Sequence, residues 1–291
     1  MGKVTAIDLG SNTFRAAVFD CQSKEVINSY EKTVRTAQGL HECGLISQDA
    51  IDRIIDAAKQ MPKPFYAHEI EAVTTQALRK AGNAADVLAQ IKAACGIEFE
   101  IISGAQEAVY TLHAVQNRLE KLNIAAASVL LADIGGGSTE IIIATKDNTV
   151  VKSFEIGILS IAEAGMEAFA KEFENLAMFI RQYETDQFAC TAGTPTTIAA
   201  LKKQMTYASY NASAINGTQI TPTDLDYYEK VLINSTKEQK EVMVGVGRDD
   251  LILAGIGIMK RLFDMACTKN AVVIDDGLRE GTALQMCEGR F

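Results

Sequence analysis

The chain has 291 residues, 48% hydrophobic and 22% charged, with four prolines and a formal net charge of −9. That length suits two domains with a core each, and the acidic excess, with no basic cluster longer than two residues, argues against a general nucleic-acid binder, which needs a basic stripe. No apolar run reaches the ~18 residues of a membrane span, and "MGKVTAIDLG" reads as a strand, so neither export nor a membrane is expected and the protein is expected to be cytoplasmic.

In chain order, "KVTAIDL" and "TFRAAVFD" are predicted strands on either side of "GSN", and "EVINSYEKTVR" is a third. "SQDAIDRIIDAAKQM" carries apolar residues at helical spacing, with Ser47 placed to cap it. "IEAVTT" reads as a strand, "NAADVLAQIKAACG" as a helix closed by Gly96, "IEFEII" as a strand, and residues 104–121 as a long helix. From Ser128 the order restarts: "SVLLAD", a glycine turn, "TEIIIAT", "TVVKSFEI", helices through 160–183, the strand "QFACT" and a helix after "AGTPTT". Helices over roughly 222–264, the strand "NAVVI" and a last helix from Gly277 complete the chain. Two similar half-chains follow, 1–122 and 123–291, with the last helix able to pack back on the first, and with a cleft expected between two facing turns. Six cysteines (Cys21, Cys43, Cys95, Cys190, Cys267 and Cys287) are scattered without a CxxC. That pattern disfavours a disulfide framework and a zinc site, and most of them are expected to be buried small hydrophobes.

The two turns carry the chemistry. "DLGSNTFR" and "DIGGGSTE" each end a strand in a carboxylate, Asp8 or Asp133, and continue with small residues: Gly10, Ser11, Asn12 and Thr13 in one, Gly135, Gly136, Gly137, Ser138 and Thr139 in the other. A tight turn needs one or two residues of positive φ, and three consecutive glycines cost more entropy than that geometry requires. Backbone N–H groups pointing inward form a concave anion site, for which phosphate is the natural guest. Asp8 and Asp133 sit where a Mg²⁺ bridging phosphate oxygens would take oxygen ligands, directly or through water. One such turn alone reads equally well as a plain hairpin, because Asp and Gly are ordinary turn residues. A matching pair in a repeated unit does not. Arg15, two residues beyond Thr13 on an alternating strand, shares the face of the first turn. The isolated His41, His68 and His113 are assigned no role, and the absence of GxSxG and P-loop stretches argues against serine-hydrolase and P-loop chemistry.

Seven stretches, "AIDLGSNTFR", "AVTTQALRKAGN", "IISGAQEA", "LADIGGGSTEI", "CTAGTPTTIAAL", "GRDDLILAG" and "DDGLREG", together resemble in order and approximate spacing the exopolyphosphatase/guanosine pentaphosphate phosphatase (Ppx/GppA) family. The resemblance covers essentially the whole chain. It implies an α/β fold of two actin-like, ribonuclease-H-like lobes, as in the sugar-kinase, Hsp70 and actin superfamily, here in a short two-domain form. It also implies Mg²⁺-dependent hydrolysis of the terminal phosphoanhydride of inorganic polyphosphate. The alternatives are removal of the 5′-γ-phosphate of guanosine pentaphosphate (pppGpp), or a sensor that binds either ligand without turnover. The implied partners are polyphosphate or a guanosine polyphosphate, with no nucleic acid and no membrane, and a homodimer is admitted. The family's catalytic glutamate falls on Glu107 of "SGAQEA". By position alone Glu107 could be a first-turn acid complementing the helix dipole, but Ser103 and Gln106 already form an S-x-x-Q capping box, which leaves Glu107 for a general-base role. Arg248 of "GRDD" matches a family arginine that reaches the guanosine polyphosphate and, with Arg15, is a phosphate clamp. Arg79 and Arg279 are also family positions, equally readable as helix-end charges or ion pairs. Gly193 and Thr194 fall on the nucleotide side. There the chain departs from the family pattern, with Ala192 in place of a glycine and Pro195 entering the helix, so a base or phosphate at that end is expected to be crowded.

Overall fold

The computed structural model describes residues 2–249 and 251–289, so Asp250 of the "GRDD" stretch lies outside the described residues. The fold is α/β, and the chain divides into two compact units, residues 1–114 with 276–291 and residues 115–275. The division falls inside the Gly104–Lys121 helix and returns after residue 275.

In the first unit β1 (Lys3–Leu9), β2 (Thr13–Asp20) and β3 (Glu25–Thr33) form an antiparallel meander, and β4 (Glu69–Thr74) and β5 (Glu100–Ile101) join it parallel to β1, in the order β3-β2-β1-β4-β5. Both faces of the central strands are covered, so "KVTAIDL" and "TFRAAVFD" are almost continuously buried. One face puts Ile7, Leu9, Phe14, Ala16 and Val18 against Ile51 and Ile54 of the Gln48–Gln60 helix and Val87 and Ile91 of the Ala84–Cys95 helix. Each such fully buried large side chain contributes about 1.5–3 kcal/mol. The other face puts Val4, Ala6 and Phe19 against Ala114 and against Ala283, Leu284 and Met286 of the last helix, Leu278–Glu288. Ser47 caps the Gln48–Gln60 helix as its position requires, its Oγ accepting from the Ala50 N–H at 3.3 Å.

The second unit repeats the scheme. β6 (Ser128–Ile134), β7 (Thr139–Thr145) and β8 (Thr149–Phe154) are antiparallel, and β9 (Gln187–Thr191) lies parallel to β6. Two further strands, β10 (Thr218–Ile220) and β11 (Ala271–Val273), extend the sheet to the order β10-β11-β9-β6-β7-β8. Leu130, Ala132 and Ile134 face a core built with Leu176 of the Ala170–Ile180 helix, Ile198 of the Gly193–Lys202 helix and Ile256 of the Ile252–Ala266 helix.

Two expectations need correction. "IEFEII" forms a strand only at Glu100–Ile101, opposite Val73 and Thr74 of β4, while Ile97 and Phe99 turn into the first core. Cys21 and Cys287 form a disulfide, Cys43 and Cys267 are exposed, and of the four free cysteines only Cys190 is fully buried, where burial pushes its thiol pKa up. Partners 266 residues apart leave no spacing motif to read. Among the described residues no helix is long and apolar enough to cross a membrane.

Candidate functional site

The β1–β2 turn of the first unit and the β6–β7 turn of the second are built alike. In the first, the Gly10 N–H donates to the Thr13 carbonyl at 2.9 Å. The Asn12 carbonyl accepts from the amides of Val34 and Arg35, and the Ser11 carbonyl from that of Ala37, all at 2.9 Å. In the second, the Gly135 N–H donates to the Ser138 carbonyl at 2.9 Å, while the Gly135 and Gly136 carbonyls accept from Ile158 at 3.1 Å and Leu159 at 2.8 Å. In both, the segment that follows the third strand of the meander captures the turn's carbonyls. Among the described residues the amides of Ser11, Asn12, Gly136 and Gly137 have no hydrogen-bond partner. Carbonyls tied down on one side with successive N–H groups left over is the arrangement of an anion cradle.

Close packing against the second turn explains Gly157. A Cβ on Gly157, which leads into the Ile158–Ala164 helix, would lie 2.3 Å from the Gly137 carbonyl carbon and 2.4 Å from the Gly136 oxygen. The turn can meet that helix only backbone to backbone. Ser138 and Thr139 are buried, and the Thr139 hydroxyl donates to the Ile156 carbonyl at 2.5 Å, which fixes the turn's exit.

Asp8 is buried at the end of β1 and stands in register with Arg15 of β2, on the sheet face shared by Val4 and Ala6. The Arg15 Nε lies 3.7 Å from a carboxylate oxygen of Glu31, its register partner on β3. Asp133 stands in register with Glu140 of β7, a residue the sequence reading did not single out. Glu140 is only 1% exposed, and its Oε1 accepts from the Ser153 hydroxyl at 2.7 Å. The signal was present: Glu140 follows Asp133 by the same offset at which Arg15 follows Asp8.

Glu107 lies in the first turn of the Gly104–Lys121 helix. Ser103 and Gln106 form the reciprocal box: the Gln106 N–H donates to Ser103 Oγ at 3.2 Å and the Ser103 N–H donates to Gln106 Oε1 at 3.0 Å. Glu107 has no part in that box. Its Oε2 instead accepts from Arg79 Nη1 at 2.9 Å, and the same nitrogen donates to the Ile102 carbonyl at 2.7 Å. Arg79 is thus an ion-pair partner within the first unit, with side-chain exposures of 22% for the arginine and 12% for the glutamate.

In the second unit β9 runs through Ala192 into the Gly193–Lys202 helix. Ala192 has φ 74° and ψ −173°, a conformation that is almost exclusively glycine's. Thr194 is buried, its hydroxyl directed at Gly255, where a Cβ would lie 1.9 Å from it. Pro195 sits in the first turn, where a missing N–H costs nothing. Arg248 reaches the start of this helix: its Nη2 lies 2.7 Å from where a Gly193 Cβ would be, and its guanidinium lies over the Tyr207 ring at 5.8 Å. At the far end of the chain Arg279 pairs with buried Glu280, whose other oxygen accepts from the Gly277 N–H at 3.0 Å, so this arginine helps cap its own helix.

Among the described residues no three His, Cys, Asp or Glu side chains cluster as a metal cage. Mg²⁺ is usually held by one or two carboxylates and completed by waters and substrate phosphates. Asp133, partly exposed, and the buried Glu140 supply two such carboxylates within one unit.

Exopolyphosphatase 2 of Mycobacterium tuberculosis is 27% identical to this chain over 320 residues, 98% of each. The solved structure of an Aquifex aeolicus Ppx/GppA protein is similar at a TM-score of 0.76 and 26% identity, covering 100% of this chain and 99% of that one. An exopolyphosphatase structure from Cytophaga hutchinsonii shares the fold at a TM-score of 0.87 and 23% identity, over 99% of this chain and 98% of that one. The family model described as the Ppx/GppA phosphatase family matches residues 18–289. With paired hairpin turns in repeated units and a match along nearly its whole length, the chain belongs to the Ppx/GppA phosphatase family.

Proposed function

We propose that this phosphatase hydrolyses the terminal phosphoanhydride of inorganic polyphosphate in a Mg²⁺-dependent reaction, releasing orthophosphate. The observation that carries the reading is the pair of turns whose carbonyls are captured and whose amides are left for an anion. The names of the full-length relatives support polyphosphate as the substrate class. Cleavage of a phosphoanhydride asks little covalent chemistry of the protein; it requires charge neutralisation, alignment and an oriented water.

The residues divide that work. The turn amides of Ser11, Asn12, Gly136 and Gly137 bind phosphate oxygens, with Arg15 adding a cation beside the first turn. Asp133 and Glu140 would hold the Mg²⁺. When bound, the ion neutralises charge that develops on the phosphate oxygens. Glu107, spared from capping, orients the attacking water and takes its proton.

A second reading, hydrolysis of pppGpp, is favoured by Arg248 at the start of the Gly193–Lys202 helix, where a cation and helix amides suit a nucleotide's phosphates. Phosphate release from polyphosphate, pppGpp and ATP, measured side by side with Mg²⁺, tests both. Release from polyphosphate is expected to be fastest, pppGpp as the preferred substrate would establish the second reading, binding without release would make the protein a sensor, and activity confined to ATP would overturn all three.

A further inference from the structure

Arg79 is placed to do more than neutralise a helix end. Its Nη1 is shared between the Glu107 carboxylate and the carbonyl of Ile102, the residue just before the Ser103 cap. Both anchors are stiff. Ile102 is buried against Val73 and Leu278, and the short helix that carries Arg79, Gln76–Lys80, is pinned by buried Ala77 and Leu78. The capping box holds the helix start that carries Glu107, which leaves the carboxylate's own torsions as the freedom still to be fixed. The pair is mostly withdrawn from water, so a charge-assisted hydrogen bond at 2.9 Å is not reduced to the near-zero value of an exposed ion pair.

We propose that Arg79 is the positioning residue for Glu107: it holds the carboxylate in one orientation relative to the attacking water and does not itself touch the substrate. The inference rests on the reading of Glu107 as the general base. A guanidinium suits the task because its donors lie in one plane and can serve a backbone carbonyl and a carboxylate together, whereas an ammonium is a point charge on a flexible stem. Misplacing a reacting group by about 1 Å can cost on the order of 10²-fold in rate, so loss of this hold acts on turnover. An arginine that gripped substrate phosphate instead would act on substrate affinity.

The test is steady-state phosphate release by Arg79→Gln, Arg79→Lys, Glu107→Gln and the Arg79→Gln/Glu107→Gln double variant, with melting curves to confirm folding. Arg79→Lys carries the same comparison should the glutamine variant not fold. Arg79→Gln is expected to lower kcat by about 10–100-fold with KM within about threefold, Arg79→Lys to recover part of the loss, and the double variant to be no slower than Glu107→Gln alone, the non-additivity expected of residues that act as a unit. A near-normal kcat in Arg79→Gln, a raised KM with unchanged kcat, or additive losses in the double variant would each overturn the positioning role while leaving Glu107 as the base. A normal kcat in Glu107→Gln would overturn both at once.

Discussion

Asp133 lies directly across the β6–β7 ladder from Glu140, in the position that Arg15 occupies opposite Asp8 in the first unit. Side chains facing each other across an antiparallel pair have Cβ atoms about 5 Å apart on one face of the sheet. The first unit thus matches a carboxylate with a guanidinium, and the second matches two carboxylates. The proposed function uses the two hairpins differently, the first for phosphate and the second for a divalent cation.

Asp133→Asn and Glu140→Gln are therefore expected to raise the Mg²⁺ concentration needed for half-maximal phosphate release, and to lower kcat at saturating Mg²⁺ by about 10²-fold or more. Arg15→Gln is expected to raise KM with the Mg²⁺ requirement unchanged. A Mg²⁺ titration of the three variants checks this. Equal Mg²⁺ requirements in all three would contradict the division of labour between the turns.

Gly157→Ala tests the backbone packing of the second turn. The added methyl would meet the Gly136–Gly137 backbone at 2.3–2.4 Å, and backbone cannot step aside as a flexible side chain can. The expected outcome is a loss of about 3 kcal/mol of stability, the upper end for an overpacked site, with phosphate binding lost as well. Denaturant midpoints and a phosphate-analogue titration measure the two effects, and an unchanged midpoint would show that the approach is looser than the geometry states.

Ala192→Gly is expected to stabilise the chain, although glycine loses more entropy on folding. A non-glycine residue held at φ 74°, ψ −173° costs about 1–3 kcal/mol, and the entropic penalty of glycine is about 0.4–1 kcal/mol. The denaturant midpoint should rise. A lower midpoint would mean that the Ala192 methyl gains more from packing than its backbone loses.

Glu71 supplies a pH test. Its pKa is raised, first by burial and then by the neighbouring Glu100 and Glu69. A carboxyl whose pKa is raised on folding favours the folded state only while protonated, so its contribution is present below the ordinary carboxylate range and is lost as pH rises through the folded value. Glu71→Gln should therefore stabilise the protein at pH 7 and make little difference near pH 3. Melting curves across that range check the sign, and equal effects at both pH values would remove Glu71 as the cause.

Local rules made most of the fold legible. Alternation and Gly-rich turns marked both meanders, and the Ser103–Gln106 box was readable as a four-residue pattern that left Glu107 without a capping duty. What escaped depended on contacts distant in sequence. Arg79 reads as a helix-end charge until the fold brings it to Glu107, and Cys21 pairs with a cysteine at the other end of the chain. Glu140 escaped for a different reason: inside a strand that reads "TEIII" an acidic residue looks like an ordinary solvent-facing alternation, and only the β6–β7 register turns it into the partner of Asp133. Thr194 shows the reverse, a hydroxyl at a motif position that the fold directs into the protein, against Gly255.

The most direct test of the proposed hydrolysis is Glu107→Gln, assayed for phosphate release from polyphosphate alongside binding of a non-hydrolysable phosphate ligand. Glutamine keeps the side chain's size and reach but removes its basicity, so kcat should fall by about 10²–10⁴-fold, the usual contribution of a positioned general base, while ligand affinity stays within a few-fold of the unmodified protein. A kcat near that of the unmodified protein would contradict the assignment and reduce Glu107 to a first-turn charge paired with Arg79.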